Sequence, residues 1–160
     1  MAEEALKKCS PVNGIWFFGL AGAGKTFASE ICAKLIDKAF IIDGDDVRNF
    51  ISFDLGYSSS DRKIQIKRVL GLSEIAIKNN QIPIVSTVTM SHEINMRCNQ
   101  LGIELVNIIR PNDQLSAVRK IYDDGTNVVG KDIKEKSFDT LKLCNNGDAE
   151  FENRIKSLVK

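Results

Sequence analysis

The sequence predicts an α/β fold, three layers (α/β/α) built on a mostly parallel five-stranded sheet. Two observations predict it. Short apolar runs alternate with longer segments of helical spacing, the pattern of strand–helix–strand units in a parallel sheet. A glycine-rich turn, Gly19-Leu20-Ala21-Gly22-Ala23-Gly24-Lys25-Thr26, stands between the first apolar run and the first helical pattern. The 160 residues suit one domain with a sizeable core, and 43% hydrophobic with 27% charged residues is an ordinary globular balance.

Each element has a local reason. Residues 1–12 open on a charged segment, read as a flexible tail. Residues 15–18, Ile-Trp-Phe-Phe, form a short buried strand. Over 26–38, Phe27, Ile31, Leu35 and Ile36 recur at helical spacing. A second strand over 39–42 ends in Asp43-Gly44-Asp45-Asp46, and a short helix is expected over 47–53. After a loop over 54–60, Ser60 or Asp61 is placed to cap a helix over 61–79 with Ile64, Val69, Leu72, Ile75 and Ala76 on its apolar face. A third strand is expected over 82–88, a polar helical segment over 91–100, and a fourth strand over 103–109. A helix over 114–121 and a glycine-containing loop or lid over 123–136 follow. A fifth strand over 140–144 precedes an amphipathic helix over 149–159, with Phe151, Ile155, Leu158 and Val159 inward. Ligands of such sheets sit beyond the carboxyl ends of the strands. That rule brings together the glycine turn, the cluster from Asp43 to Asp46 and the residues after Val88.

The glycine turn fits G-x-x-x-x-G-K-[ST], a phosphate-binding loop, and makes the fold P-loop NTPase-like. Glycines let the backbone curl so that its amides form an anion cradle at a helix N-terminus. The predicted ATP-binding set is Gly19, Ala21, Gly22, Ala23, Gly24, Lys25, Thr26 and Phe27, with Arg119 placed to stack on the adenine. Lys25 reaches the β- and γ-phosphates, and the Thr26 hydroxyl takes a Mg²⁺ position. Asp43 and Asp45 are the catalytic carboxylate candidates, one holding Mg²⁺ and one accepting a hydroxyl proton. The third strand ends in Ser86 and Thr87 rather than Asp, so Asp43 is the candidate metal-linked group beside Thr26. Arg48 and Arg62 flank loops near this site and suit bidentate capture of acidic oxygens, whereas Lys67 and Arg68 read as a solvated helix face. Tyr57 either stacks on a base or tucks into the core. His92, the sole histidine, has no role that phosphoryl transfer requires.

Composition excludes several classes. A net charge of +1 argues against a general nucleic-acid or membrane-surface binder. Four scattered cysteines, Cys9, Cys32, Cys98 and Cys144, form no C-x-x-C and suggest reduced thiols in the cytoplasm. No signal peptide or membrane-length apolar run is apparent. A guanine-reading N-K-x-D is missing, which sets a GTPase aside.

Three motifs in order carry a family resemblance. The glycine turn is similar to the GLSGSGKS/T loop of adenylylsulfate kinases. Asp43-Gly44-Asp45-Asp46-Val47-Arg48 resembles their DGDNVR. Asp54-Leu55-Gly56-Tyr57-Ser58 with Asp61-Arg62 resembles their DLGFS-x-x-DR. The resemblance implies ATP-dependent phosphorylation of the ribose 3′-hydroxyl of an acidic nucleotide, with Mg²⁺ and ATP as co-substrate and a possible homodimer. By position it makes Arg48, Tyr57, Arg62, Gln65 and Val128 the acceptor-binding residues.

The departures lie in the acceptor pocket. Gln65 stands where the family usually has Asn, and Met90 where it has Ser in F-I-S-P. Val128 stands in a shortened lid where the family has a Phe that closes over the acceptor base. A β-branched aliphatic side chain cannot stack as a ring does. A short branch resembling adenylylsulfate kinases acts on cytidine diphosphoramidate in decorating bacterial capsules, and a smaller pyrimidine suits such a lid. Adenylylsulfate and cytidine diphosphoramidate both stand as acceptors. A non-catalytic ATP-binding switch is the alternative of another class.

Overall fold

A computed structural model describes residues 12–111, 114 and 138–159. The expected tail up to residue 11, the helix beyond Gln114, the lid over 123–136, Arg119 and Val128 lie outside the described residues. Five strands form one sheet: β1 (Gly14–Phe18), β2 (Ala39–Asp43), β3 (Ile82–Thr87), β4 (Ile103–Ile109) and β5 (Leu141–Cys144). Their order is β2-β3-β1-β4-β5, and every pairing is parallel, so the expectation of a mostly parallel sheet sharpens to a fully parallel one among the described strands. Among the described residues the helices that accompany them are α1 (Lys25–Leu35), α2 (Gly44–Phe50), α3 (Ser59–Lys78), α4 (His92–Leu101) and α5 (Ala149–Leu158).

β1 is central because it is apolar on both sides. Ile15 and Phe17 point to one face, where they meet Ala28, Ile31 and Cys32 of α1 and Phe151, Ile155 and Leu158 of α5. Trp16 and Phe18 point to the other, where they meet Ile66 and Val69 of α3 and Ile94 and Cys98 of α4. This period-two alternation feeds two cores from one five-residue strand. The chain leaves β1 for the β2 edge, returns through β3, and crosses to β4 on the other side. The reversal occurs at the carboxyl end of β1, where doubly wound sheets place their ligands.

Several local expectations change. α3 is capped by Ser58, whose hydroxyl accepts from Asp61 N at 3.2 Å, rather than by Ser60 or Asp61. Starting earlier also changes its inner face. Gln65, Ile66, Val69, Ser73 and Ala76 are buried, while Ile64 and Ile75, expected inside, are 44% and 59% exposed. α2 begins at Gly44 rather than at 47, because the Asp43 carboxylate accepts from Asp45 N and caps it. Strand three stops at Thr87, strand five starts at Leu141, and the last helix ends at Leu158 with Val159 only half-buried. α4 is capped as a polar-led helix should be, with Ser91 accepting from Ile94 N.

Cys32 and Cys98 lie in the two cores, and burial pushes each thiol up to about 12 from an ordinary 9.0. The thiolate is the reactive form. In native protein at pH 8, a thiol reagent labels the exposed Cys144 quickly, and Cys32 and Cys98 only on unfolding. Their raised values also have a linkage consequence. The stability they contribute is complete below pH 9 and declines as pH rises towards 12, which urea melts across that range will read. The corrected phase of α3 is tested by a pair of variants. Ile66→Ala costs about 2–5 kcal/mol in urea unfolding, and Ile64→Ala stays within about 0.5 kcal/mol.

Candidate active site

The phosphate-binding turn links β1 to α1 at the reversal of the sheet. Gly24 has φ +108°, a left-handed conformation that side-chain-bearing residues rarely adopt. A Cβ there would meet Asn145 Nδ2 at 2.7 Å and Phe151 Cε1 at 3.0 Å. A Cβ on Gly19 would run into the Ile108 carbonyl of the neighbouring strand. The turn closes on itself through Ala23 N donating to Leu20 O at 3.1 Å, and Lys25 Nζ donates to the same carbonyl at 2.9 Å. α1 starts without a side-chain cap and without an acidic residue in its first turn. Its positive end therefore stays available to an anion. From below, Gly19 N donates to Thr87 O at 3.3 Å, and the Thr87 hydroxyl accepts from Trp16 Nε1 at 2.8 Å.

Asp43 is the hub of the polar set. Its Oδ2 accepts from Thr26 Oγ1 at 3.1 Å and from Ser86 Oγ at 3.4 Å, while its Oδ1 holds the start of α2. Ser86 in turn lies 3.3 Å from the buried Ser29 hydroxyl of α1. Thus β2 supplies the carboxylate and β3 only a hydroxyl. A carboxylate beside a threonine hydroxyl is a hard oxygen donor set, which fits Mg²⁺, a cation usually held by one or two protein oxygens plus phosphates and water. Asp45 is exposed on the first turn of α2, one residue past the Gly44 peptide.

The third motif region forms a self-bonded loop. Arg68 grips Asp54 with both guanidinium nitrogens, at 2.6 and 2.9 Å, and donates to Ser52 Oγ. That hydrogen bond holds the Asp54 carboxyl below its usual value. Arg68 is therefore an anchor of this loop rather than part of a solvated face, whereas Lys67 makes an exposed ion pair with Glu93. The Gly56 peptide is held at both ends, its N–H by Asp61 and its carbonyl by Arg48. Tyr57 is 53% exposed, which rules out the core alternative. Its ring lies under Arg48 at 4.3 Å and Arg62 at 5.5 Å, and Arg62 Nε donates to the Tyr57 carbonyl. Burial and then the Arg48 charge lower the Arg62 pKa. Two guanidiniums gathered on one ring repel each other, and an anionic ligand between them relieves that repulsion.

The remaining candidates divide. Gln65 is buried beneath the Asp43–Gly44 corner, with Nε2 donating to Gly44 O at 3.0 Å and Oε1 without a partner among the described residues. Met90 fills the α3/α4 core. Phe27 stacks on Phe151 beside the glycine turn, with ring centroids 5.9 Å apart. His92 packs on Phe138 over the α4 side of the sheet. Sequence reasoning missed two residues that grip the glycine turn. Asn145 Nδ2 donates to Ala23 O at 2.8 Å, and Arg110 Nη1 donates to Gly22 O at 3.1 Å. Both follow the carboxyl ends of strands, β5 and β4, which is the signal that could have flagged them.

Comparisons with known proteins bear on the family and the fold. The family model for adenylylsulphate kinase matches residues 12–127. An adenylyl-sulfate kinase from Pseudomonas aeruginosa is 37% identical over 107 residues, 64% of this chain and 54% of that protein. One from a Picosynechococcus strain is 37% identical over 90 residues, 54% of this chain and 51% of that protein. The chain thus spans about half the length of the curated relatives it matches. The Mycobacterium tuberculosis APS kinase, solved in complex with AMPPNP and APS, superposes with a TM-score of 0.73 at 22% identity, over 94% of this chain and 100% of that one. A gluconokinase from Sinorhizobium meliloti superposes at 0.62 with 12% identity, over 91% and 89% of the two chains, so the fold is shared beyond one substrate.

The double use of Asp43 as cap and as polar hub yields a test. Asp43→Ala costs about 0.5–2 kcal/mol in urea unfolding, the scale of a lost N-cap, whereas Asp43→Asn keeps a capping oxygen and most of that stability.

Proposed function

The chain belongs to the adenylylsulphate kinase family, and from that premise we propose that it is an ATP-dependent kinase phosphorylating the ribose 3′-hydroxyl of an acidic nucleotide, adenylylsulfate in the first instance. The observation that carries the reading is the contact of Thr26, the last residue of the glycine turn, with Asp43. The glycine-turn amides and Lys25 hold the β- and γ-phosphates. Thr26 and Asp43 hold Mg²⁺, which supplies charge neutralisation to the phosphates when bound. Asp43 or Asp45 accepts the proton of the attacking hydroxyl. Arg48 and Arg62 take the acidic groups of the acceptor, and the exposed face of Tyr57 offers a surface to its base. Such chemistry is mostly positioning and electrostatics, and a protein with these parts needs no covalent intermediate.

A second acceptor, cytidine diphosphoramidate, is favoured by one observation. The family match ends at 127, directly before Val128, the position at which the expected ring over the acceptor base is missing. A purely regulatory ATP-binding role is the reading of another class, in which ATP binds without acceptor-dependent turnover.

A coupled ADP-release assay with Mg²⁺, ATP and each acceptor in turn separates the readings. Adenylylsulfate-dependent ADP release is expected. A strong preference for cytidine diphosphoramidate would move the acceptor assignment, and no acceptor-dependent release with either would remove the kinase. In Asp43→Asn, which keeps the cap, turnover is expected to fall about 10²–10³-fold, the scale of one preorganised transition-state contact. Lys25→Ala should abolish it while circular dichroism stays unchanged.

A further inference from the structure

Asn145 lies 122 residues after Ala23, yet its side chain touches the centre of the glycine turn. It is 6% exposed and held on three sides. Its backbone N–H donates to Ile109 O at 2.8 Å, continuing the β4–β5 edge past Cys144. Its Oδ1 accepts from Gly147 N at 2.9 Å, which orients the carboxamide. Its Nδ2 is then aimed at the Ala23 carbonyl at 2.8 Å. That nitrogen would lie 2.7 Å from a Cβ at Gly24, so the carboxamide also packs directly on the next residue of the turn.

The peptide joining Ala23 to Gly24 is planar, with carbonyl and N–H pointing in opposite directions. Gly24 at φ +108° has no Cβ to forbid a flip of this peptide. One orientation turns the Gly24 N–H towards a phosphate, and the other turns a carbonyl oxygen towards it. Attraction becomes repulsion at one of the oriented amides on which the loop relies, with Lys25 and the start of α1, to hold an anion. Asn145 holds the carbonyl on the outer side, and Arg110 does the same for the Gly22 carbonyl at 3.1 Å.

We propose that Asn145 is a positioning residue for the phosphate-binding turn, selecting the peptide orientation in which the Gly24 amide faces the phosphates of ATP. The inference rests on the kinase reading, because it needs ATP as the ligand. It makes the loop after β5 a determinant of nucleotide affinity although none of the family motifs quoted above includes it.

The test uses neutral variants, since a new charge near the phosphates would change affinity by itself. Asn145→Leu keeps the volume and removes the donor. ATP binding is measured by calorimetry, alongside the thermal midpoint of the nucleotide-free protein. The expected result is an ATP Kd raised about tenfold, the scale of one hydrogen bond lost, with kcat at saturating ATP much less affected. A merely structural role would lower the midpoint and leave the Kd of the folded protein within twofold, and that result overturns the inference. If Asn145→Leu does not fold, Asn145→Ala, which likewise lacks a side-chain donor, replaces it. Hydrogen exchange of the Asn145 carboxamide in the unaltered protein gives a further arm: slow exchange of the proton donated to Ala23 is expected, and fast exchange overturns the inference. Unaltered protein that fails to bind ATP at all overturns the kinase reading and this inference with it. Binding by the unaltered protein with equal binding by the variant overturns this inference alone.

Discussion

Trp16 and Phe17 are adjacent residues with no exposed surface, and they point to opposite faces of the sheet. That double burial is the constraint from which the rest follows. A strand buried on both faces must lie inside the sheet, with partners on either side and helices above and below. Its carboxyl end then emerges between β3 and β4, at the reversal of strand order. The glycine turn is placed there by the core, before any ligand contact is considered. Each large side chain so buried is worth roughly 1.5–3 kcal/mol, and the polar turn at its end contributes far less. Stability comes from the layers and chemistry from the edge they present.

The polar residues at that edge are held by one another as much as by the scaffold. Asp43 caps α2 with one oxygen and contacts Thr26 with the other. One carboxylate therefore ties the helix after β1 to the helix after β2. The same economy recurs in the loop of residues 54–58, where Asp61, Arg48, Arg62 and Arg68 each bond either the backbone or a carboxylate of the loop. These residues carry the motif spelling. Their positions in the structure account for that spelling as local folding chemistry, besides any contact with a substrate. Ser86 illustrates the converse: β3 ends in a hydroxyl, and the carboxylate comes from the next strand instead. Asp43 can serve because β2 and β3 are paired with Asp43 directly opposite Ser86.

Strand β4 was legible to the residue, and β1, β2 and α1 were legible within a few residues, because apolar-rich runs and glycine punctuation are local signals. The phase of α3 was not. Ile64 and Ile75 fit an apolar stripe on paper, yet a start at Ser59 and a core centred on Ile66 and Val69 turn them outward. Hydrophobicity alone could not separate two stripes offset by one or two residues, since Gln65 and Ser73 occupy inward positions. Both polar side chains make backbone hydrogen bonds there, Gln65 to Gly44 and Ser73 to Val69, which the pattern could not anticipate.

By itself the sequence determined the fold class, the phosphate-binding turn, the carboxylate beside it and the family, because each depends on residues close together along the chain. The tertiary structure alone decided the strand order and the grips of Arg110 on Gly22 and of Asn145 on Ala23. Such contacts join residues up to 122 positions apart. Their cause is the crossing of the chain at β1, which brings the ends of separate strands to one edge. No local pattern encodes that crossing. It follows from two cores that must both be filled from one central strand.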